Sequence, residues 1–167
     1  MADFIPLSVP SIQGNEWKYV KECLDKLGQV GFWRLAIKPG RPLAFGHVGK
    51  ALFFGLPGNP VSVMVTFFVF VRQALLNMAG GTGPSDVYTL HARTTTPLRK
   101  RPGRYEFQRG VLEQSGPGEF TVRSAGAQGS GILRSMSEAN CFILLGPERT
   151  SVDIGGQVEV QPFRNLI

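Results

Sequence analysis

The chain has 167 residues, a net charge of +6, 43% hydrophobic residues and 18% charged residues. This size and composition exclude a disordered or fibrous chain and allow one large domain or two small ones, each with a buried core. The positive charge favours an anionic partner, and nucleic acid, a phosphorylated small molecule and an oxyanion all fit it. Two cysteines, Cys23 and Cys141, match no metal or redox spacing, and we expect both to be reduced residues of the core.

No segment resembles a targeting signal or a membrane span. The first thirteen residues, "MADFIPLSVPSIQ", contain no Lys or Arg and two prolines, which is unlike a signal peptide. The longest apolar block, residues 61–71, is interrupted by Ser62 and Thr66 and is shorter than the roughly 20 residues that a membrane span requires. We therefore expect a soluble, cytoplasmic protein that does not bind a membrane.

The first half of the chain predicts two helices and three strands. Apolar residues recur at helical spacing from residue 15 to 27, and Gly28 follows as a stop signal. Short apolar segments bounded by Gly or Pro predict strands, namely "FWRLAI", "PLAFGHV" and "ALFFGL". The second helix is expected to begin after Asn59 and to continue to about Met78, before two glycines. Because it is apolar all round, we expect it to be buried between layers.

The second half of the chain predicts a small all-β domain. After "GGTGPS" at 80–85 come five short, partly alternating segments: "VYTLHAR", "YEFQRGVLE", "EFTVRSA", "NCFILLG" and "QVEVQPF". Such strands between Gly-rich turns are typical of a small antiparallel barrel or sandwich. The predicted fold class is thus an α/β piece, residues 15–82, followed by an all-β domain, residues 83–167.

Two basic residues lie at the ends of the predicted strand "RLAIK". Lys38 leads into the turn "PGRP", where backbone N–H groups beside a cation are suited to bind a phosphate or an oxyanion. Arg34 lies at the other end of the same segment. The alternative, which this segment alone favours, is a strand whose basic ends are simply solvated.

The stretch "GLPGNP" at 55–60 directly precedes the second helix. Free N–H groups and the helix dipole favour anions at such a position, Asn59 can cap the helix, and Ser62 can add a hydroxyl. The structural alternative is a tight connection that needs Gly for positive φ and Pro for rigidity. The local sequence does not separate the two interpretations.

Three features of the second half carry further candidates. The basic run "RKRPGR" at 99–104 resembles a nucleic-acid patch, but a solvated hairpin tip fits it better, and we expect no nucleic-acid partner. Arg109, among alternating strand residues, would need an anionic partner if it faces inward. Ser130 lies in the Gly-rich loop "GAQGSG" and either donates to an oxyanion or satisfies its own turn.

Taken together, these motifs resemble one family. The run "FWRLAIKPGRPLAFG", followed by "FFGLPGNPVSVMVTF" and then by "PGRYEFQRGVL", "GAQGSGIL", "ANCFILL" and "VEVQPF", is similar to the molybdopterin molybdenumtransferases, the MoeA and gephyrin E-domain family. The resemblance covers roughly residues 19–167, and residues 1–14 match nothing in the family. It implies the last part of an α/β domain like that of molybdopterin adenylyltransferase, followed by a C-terminal β-barrel.

The resemblance also implies an activity. Family members insert molybdate into adenylylated molybdopterin and release AMP, assisted by Mg²⁺, and they form dimers. We expect the Mg²⁺ ligands to lie in family segments that this sequence lacks, so that turnover by the chain alone would be impaired or absent. Molybdopterin adenylyltransferase is a candidate partner.

The resemblance assigns roles to particular residues of this sequence. The cleft-lining basic and hydroxyl residues that match catalytic positions are Arg34, Lys38, Arg109 and Ser130. The rigid loop that faces the pterin and the oxyanion corresponds to Pro57, Gly58, Asn59, Pro60 and Ser62.

Two functions from different classes therefore remain open. If the chain is a portion of the molybdenum-insertion enzyme, then Lys38, Arg34 and Arg109 should converge in space. A non-catalytic protein-binding or oligomerisation module instead predicts an exposed apolar patch near the second helix, covered by the leader or by a second copy of the chain.

Overall fold

A computed structural model describes residues 16–81 and 88–163. The leader, residues 1–14, and the predicted domain boundary near residue 83 lie outside the described residues, so this division of the chain stays a prediction. Within the described residues, a mixed helix and strand part precedes an all-β part. The predicted fold class is confirmed.

The first part consists of a helix and a small antiparallel sheet. Helix α1 spans Glu16–Leu27, and the next strands are β1 (Gly28–Arg34), β2 (Ile37–Lys38), β3 (Pro42–Val48) and β4 (Ala51–Gly55). The sheet has the order β1-β3-β4. Gly46 faces Val30 across the first pair, and a Cβ at Gly46 would lie 1.9 Å from the carbonyl oxygen of Gln29, so only glycine fits there. The predicted helix and strands are confirmed, with β2 separate from β1.

The second helix runs through three consecutive segments, which are α2 (Pro60–Thr66), a π-helical stretch (Phe67–Val71) and α3 (Arg72–Met78). It ends as predicted, with Gly80 at φ +85°. The prediction that it is buried on all sides is wrong. Val61 and Val65 are fully buried, whereas Leu75 and Met78 are exposed. Among the described residues, the cluster shared with the second part of the fold includes residues of this helix from Val61 to Val69.

This helix, Pro60–Met78, has 19 residues and a mean hydropathy of 1.6 over its most apolar window, which is enough by length and composition to cross a membrane. It is longer than the apolar block counted in the sequence because it continues past Arg72. The core helix of a soluble protein passes the same test, and 28% of the window is buried within this fold. The helix is therefore weak support for a membrane location.

Five strands of the second part form a closed barrel. They are β5 (Leu90–Thr94), β7 (Tyr105–Gly116), β8 (Glu119–Ser124), β9 (Cys141–Leu145) and β11 (Gln157–Pro162). The order β7-β8-β5-β11-β9 is closed by pairing of β9 with β7. Each strand overlaps one of the five segments predicted from the sequence, and β5 and β7 continue past the ends of theirs. A second small sheet pairs β6 (Leu98–Arg99) with β10 (Ser151–Val152), and the short helix α4 spans Arg134–Glu138.

Neighbouring residues of β9 pack into two different hydrophobic clusters. Ile143 lies inside the barrel with residues such as Val122 and Val160. Phe142 faces the opposite side, where it packs with Val61 and Val65 of α2 and with Phe107, Met136 and other apolar residues. Because successive strand residues point to opposite faces, one strand supplies both the barrel core and the contact between the two parts.

The two parts are also joined by backbone pairing. Strand β2 runs parallel to the start of β7, with Ile37 beside Tyr105 and Lys38 beside Glu106. The N–H of Tyr105 donates to the carbonyl of Ala36 at 2.8 Å. This pairing brings the turn that follows Lys38 to the surface of the barrel.

The two cysteines differ in environment. Cys141 is fully buried, as predicted, whereas the prediction that Cys23 is a core residue is wrong, because Cys23 lies on the exposed side of α1. Burial raises the pKa of the Cys141 thiol from 9.0 to about 12.

We expect one thiol of the native chain to react quickly with a disulfide reagent at pH 8 and two to react after denaturation, because Cys141 is inaccessible and protonated. The raised pKa also means that the Cys141 contribution to stability is present below pH 9 and is lost as the pH rises toward 12. Reagent titration of the wild type and a Cys23→Ser variant measures both thiols. Two fast thiols in the native wild type would contradict the buried position of Cys141.

Candidate functional site

A cleft of about 770 Å³ lies where the two parts meet. It is formed by the "KPGRP" turn after β2, the "GLPGNP" loop before α2, the Gly-rich loop after β8 and the residue before β7. Its lining consists of Ile37, Lys38, Pro39, Gly40, Arg41, Pro42, Pro57, Gly58, Asn59, Ser62, Arg104, Gln128, Gly129 and Ser130. Most of the predicted site residues therefore meet in one place.

Lys38 lines the cleft and is held by a buried carboxylate. Its Nζ lies 2.9 Å from Oε1 of Glu106, whose side chain is only 5% exposed. The side-chain amide of Gln108 donates to the same oxygen at 3.0 Å. The pairing of β2 with β7 sets Lys38 beside Glu106, so the ammonium group has a fixed position and a balanced charge.

The "KPGRP" turn packs closely against helix α2. Gly40 has a φ of +103°, and a Cβ there would lie 2.6 Å from Cγ2 of Thr66. Both the backbone conformation and the space require glycine at this position. The close contact holds the turn against the first turns of α2 and so shapes one wall of the cleft.

The "GLPGNP" loop enters α2 as predicted, with Pro60 at the first helical position. The carbonyl of Asn59 accepts from the N–H of Val63 at 2.9 Å. The prediction that the Asn59 side chain caps the helix is wrong, because its Nδ2 instead donates to Oγ of Ser130 at 3.2 Å. The side chain thus links this loop to the Gly-rich loop of the barrel.

The glycines of "GLPGNP" are not required by backbone conformation. Neither Gly55 nor Gly58 has a positive φ. A Cβ at Gly58 would meet no atom within 4 Å, so it would project into open space beside the cleft. The structural alternative, that this loop needs glycine for positive φ, is therefore not supported at Gly58.

Arg109 is buried and binds the Gly-rich loop. Its side chain is the largest fully buried one among the described residues. The guanidinium donates to the carbonyls of Ala127, Gln128 and Gly129 at 3.0–3.2 Å, and its Nε donates to Ser135 Oγ at 3.0 Å. The interior partners of Arg109 are therefore carbonyl and hydroxyl oxygens, where the sequence suggested an anion.

Gln128 completes this arrangement from the loop side. Its Oε1 accepts from the N–H of Arg109 at 2.8 Å, and its Nε2 donates to the carbonyl of Arg109 at 3.0 Å. Burial lowers the pKa of the Arg109 guanidinium, and the nearby charge of Glu106 opposes this shift. Because Arg109 does not line the cleft, its place in the structure is that of a residue that positions the loop carrying Gly129 and Ser130.

Arg34 lies apart from the cleft. It is exposed at the end of β1, opposite Pro42, and lines a neighbouring cavity of about 520 Å³ that shares Pro42, Pro57 and Gly58 with the cleft. The three cations Arg34, Lys38 and Arg109 therefore do not converge at a single point.

The sequence reasoning did not single out Arg41 and Arg104, the other two basic residues that line the cleft. Arg41 lies inside the turn "KPGRP", and Arg104 is the last residue of "RKRPGR", for which the sequence favours a solvated hairpin tip. Glu106 and Gln128 were also missed, since nothing local marks them as partners of Lys38 and Arg109.

The donor set does not fit Mg²⁺. Within residues 16–81 and 88–163, no group of three His, Cys, Asp or Glu side chains can hold a metal ion. No carboxylate lines the cleft in this part of the chain, and the carboxylate of Glu106 is bound by Lys38 and Gln108. Because Mg²⁺ prefers carboxylate oxygens, no catalytic step is assigned to it here.

The fold and the cleft define a class of protein in which an α/β part and a small closed barrel form a cationic cleft at their junction. Two family models match the chain along its length. Residues 18–77 match a probable molybdopterin binding domain, and residues 91–163 match the MoeA C-terminal region, domain IV. The chain therefore matches the C-terminal part of the MoeA family.

Individual relatives agree with this assignment. The chain is 41% identical over 153 residues to a molybdopterin molybdenumtransferase of Haemophilus influenzae and 29% identical over 171 residues to gephyrin of Dictyostelium discoideum. These alignments include 92% and 87% of the chain but only 38% and 24% of the relatives. The crystal structure of a molybdopterin biosynthesis MoeA protein from Pyrococcus horikoshii superposes with a TM-score of 0.68 at 26% identity, covering 89% of this chain and 40% of that one. The chain thus spans well under half the length of these relatives.

Proposed function

We propose that the chain contributes to molybdenum cofactor biosynthesis as part of a molybdopterin molybdenumtransferase, which inserts molybdate into adenylylated molybdopterin and releases AMP. The observation that carries this proposal is the cleft at the junction of the two matched regions. It is lined by Lys38, Arg41 and Arg104 and, within the described residues, by no carboxylate. Such a lining suits the anionic groups of molybdate and of a pterin phosphate.

The chemistry we assign to the cleft is preorganised electrostatics. Lys38 is fixed by Glu106 and supplies N–H donors at a set position. Ser130 is positioned by Asn59 and supplies a hydroxyl. Donors that are already oriented stabilise an oxyanion without reorganising during the reaction. In this proposal Arg109 positions the Gly-rich loop, and Arg34 acts from the neighbouring cavity.

The "GLPGNP" loop contributes shape to the same site. Pro57 is buried, whereas Gly58, Asn59 and Pro60 are exposed at the cleft wall or its rim. Ser62 is buried in the first turn of α2 and also lines the cleft. We propose that the open space above Gly58 lets a flat pterin approach the backbone closely.

The wider setting is proposed on the same basis. The enzyme would work in the cytoplasm as a dimer, receive its adenylylated pterin from molybdopterin adenylyltransferase, and obtain any Mg²⁺ ligands from segments other than the described residues.

The proposal is tested by molybdate-dependent cofactor formation from adenylylated molybdopterin, with the chain alone and with the Haemophilus relative added. Activity of the chain alone supports it directly. Inhibition or stimulation of the relative on mixing supports a part that still recognises the complete enzyme. No effect in either assay, with a folded chain, contradicts the proposal.

We expect Gly58→Ala to leave the free energy of unfolding within about 0.5 kcal/mol of wild type, because the added methyl meets no atom of the fold. Cofactor formation, measured in the same assay, should fall by roughly tenfold if a ligand lies against this backbone, since a shift of even 1 Å in a bound substrate is costly. Gly146→Ala is the matched control, because a Cβ there also meets no atom and Gly146 does not line the cleft. Equal activity of the two variants would argue against ligand contact at Gly58.

An apolar groove favours a second candidate, a non-catalytic oligomerisation module. The groove has a volume of about 380 Å³ and is lined by Trp33, Leu35, Leu43, Phe45, Leu52, Phe54, Phe70 and Ala74. Trp33 is 59% exposed and Phe45 is 40% exposed, so apolar side chains of this groove are open to contact with a second copy of the chain. Sedimentation of the wild type and of Trp33→Ser tests this candidate. A dimer formed through the groove should dissociate in Trp33→Ser, and a monomeric wild type would exclude the dimer.

A further inference from the structure

We propose that the leader, residues 1–14, docks as an extended segment in the apolar groove whose lining includes Trp33 and Phe45. The docking stretch is "FIPLSVPSI", residues 4–12 of the same chain. This inference is independent of molybdenum insertion. It gives the groove a different occupant from the second copy of the chain considered above, and the experiments separate the two.

The groove offers an apolar and largely aromatic surface. All eight residues that line it are apolar, and four of them are aromatic, namely Trp33, Phe45, Phe54 and Phe70. Its walls come from the sheet β1-β3-β4 and from the second helix. Aromatic-lined grooves bind extended segments that contain proline. The groove therefore suits an uncharged, apolar stretch of chain.

The leader has the composition and the periodicity that fit this groove. Residues 4–12 contain no charged side chain. Aliphatic residues alternate with other residues in the order Ile5, Pro6, Leu7, Ser8, Val9, Pro10. In an extended backbone this alternation turns the three aliphatic side chains to the same side. The two prolines disfavour a helix and reduce the conformational entropy that the segment loses on docking.

The leader joins the described fold close to the groove. It precedes α1, and Val20 of this helix lines a cavity together with Trp33, which also lines the groove. Glu16 and Val20 are about 6 Å apart along the helix axis. The seven residue steps from Val9 to Glu16 cover up to about 23 Å in an extended chain. Because β1 is at the edge of its sheet, the chain can pass around β1 from α1 to the groove.

Attachment to the same chain favours the leader over a second copy. A segment on a short linker has an effective concentration in the millimolar range, so a free second copy at micromolar concentration must bind far more tightly to compete with it. Docking also removes from water the apolar surface of Trp33 and Phe45, which are 59% and 40% exposed. The docked leader thereby shields the groove from association between chains.

Acrylamide quenching of Trp33 fluorescence tests the docking. Trp17→Phe leaves Trp33 as the only tryptophan of the full-length chain. In this background we expect Leu7→Asp to increase quenching by about twofold or more, because an indole that is 59% exposed in the groove is then no longer covered by the leader. Ser8→Asp is the matched control. It adds the same charge on the opposite side of the extended segment and should leave quenching unchanged.

Chemical cross-linking provides a second measurement that needs no added charge. Leu7→Cys and Ala74→Cys are combined with Cys23→Ser and treated with a short bismaleimide, while Cys141 is buried and does not react. We expect a cross-link within one chain, at the mass of a monomer. A Leu7→Cys/Glu113→Cys pair is the control and should cross-link little, because Glu113 is exposed on the barrel and does not line the groove.

Two results would overturn the inference. The first is equal quenching of Trp33 in the Trp17→Phe background, in Leu7→Asp and in Ser8→Asp. The second is a Leu7→Cys/Ala74→Cys pair that forms no cross-link within the chain, and a cross-link only between chains would assign the groove to another copy. Because neither readout involves molybdate or a pterin, failure of docking and failure of molybdenum insertion are distinguished.

Discussion

Replacing Arg109 with methionine is expected to lower the free energy of unfolding by about 3–5 kcal/mol. The substitution keeps the length of the side chain but removes its donors from the carbonyls of Ala127, Gln128 and Gly129 and from Ser135. Buried carbonyl groups that lose their hydrogen-bond donors carry the full free-energy cost of desolvation. Since a domain of this size is stable by only about 5–15 kcal/mol, this is a large share of the total.

The effect should be largest in the Gly-rich loop. Urea denaturation gives the total change, and hydrogen exchange of residues 127–130 shows whether the loop opens before the barrel unfolds. Arg109→Lys should recover only part of the loss, because an ammonium group cannot reproduce the planar fork of a guanidinium.

Arg123→Met is the matched control for Arg109→Met. Arg123 lies on β8, is exposed, and should change stability by less than about 0.5 kcal/mol. A loss below about 1 kcal/mol in Arg109→Met, with unchanged exchange in the loop, would show that Arg109 does not hold the loop in place.

Phe142→Ala is expected to destabilise the chain by about 3–5 kcal/mol and to loosen helix α2 from the barrel. Phe142 is fully buried and packs edge-on against Phe68, Phe107 and Phe163. Its ring is part of the cluster that includes Val61 and Val65 of the helix. Removing the ring leaves a cavity at the contact that aligns the two walls of the cleft.

Ile143→Ala provides the comparison, because Ile143 is equally buried and adjacent in sequence but faces the barrel interior. We expect a loss of about 2–5 kcal/mol there too, with amide protection falling throughout the barrel. Phe142→Ala should instead lower protection first in residues 60–71. The same exchange pattern in both variants would show that the helix and the barrel unfold as one unit.

Much of the barrel could be predicted from sequence. The five alternating segments became its five strands, since alternation of apolar residues reports directly which face of a strand is buried. The helix entry at Pro60 and its end before Gly80 were also local properties of the chain. The prediction that the second helix is buried on all sides was wrong, because the apolar composition of a helix does not show how much of the helix surface packs against other elements.

The candidate site could be predicted only in part. The motifs "KPGRP", "GLPGNP" and "GAQGSG" were marked by their glycines and prolines, and all three line the cleft. The local sequence did not indicate that Asn59 would bind Ser130 rather than its own helix, because the two residues are 71 positions apart.

The strands, the helix entry and the loops that surround the cleft follow from the amino-acid sequence alone, because periodicity and turn chemistry act between near neighbours in the chain. Which charges face the cleft depends on the folded arrangement of the chain. It paired Lys38 with Glu106 across 68 residues and buried Arg109 behind the loop that it binds. It also left Arg41 and Arg104 open at the cleft wall. The ionic partner of a side chain depends on distances between strands that are far apart in sequence, so no local pattern encodes it.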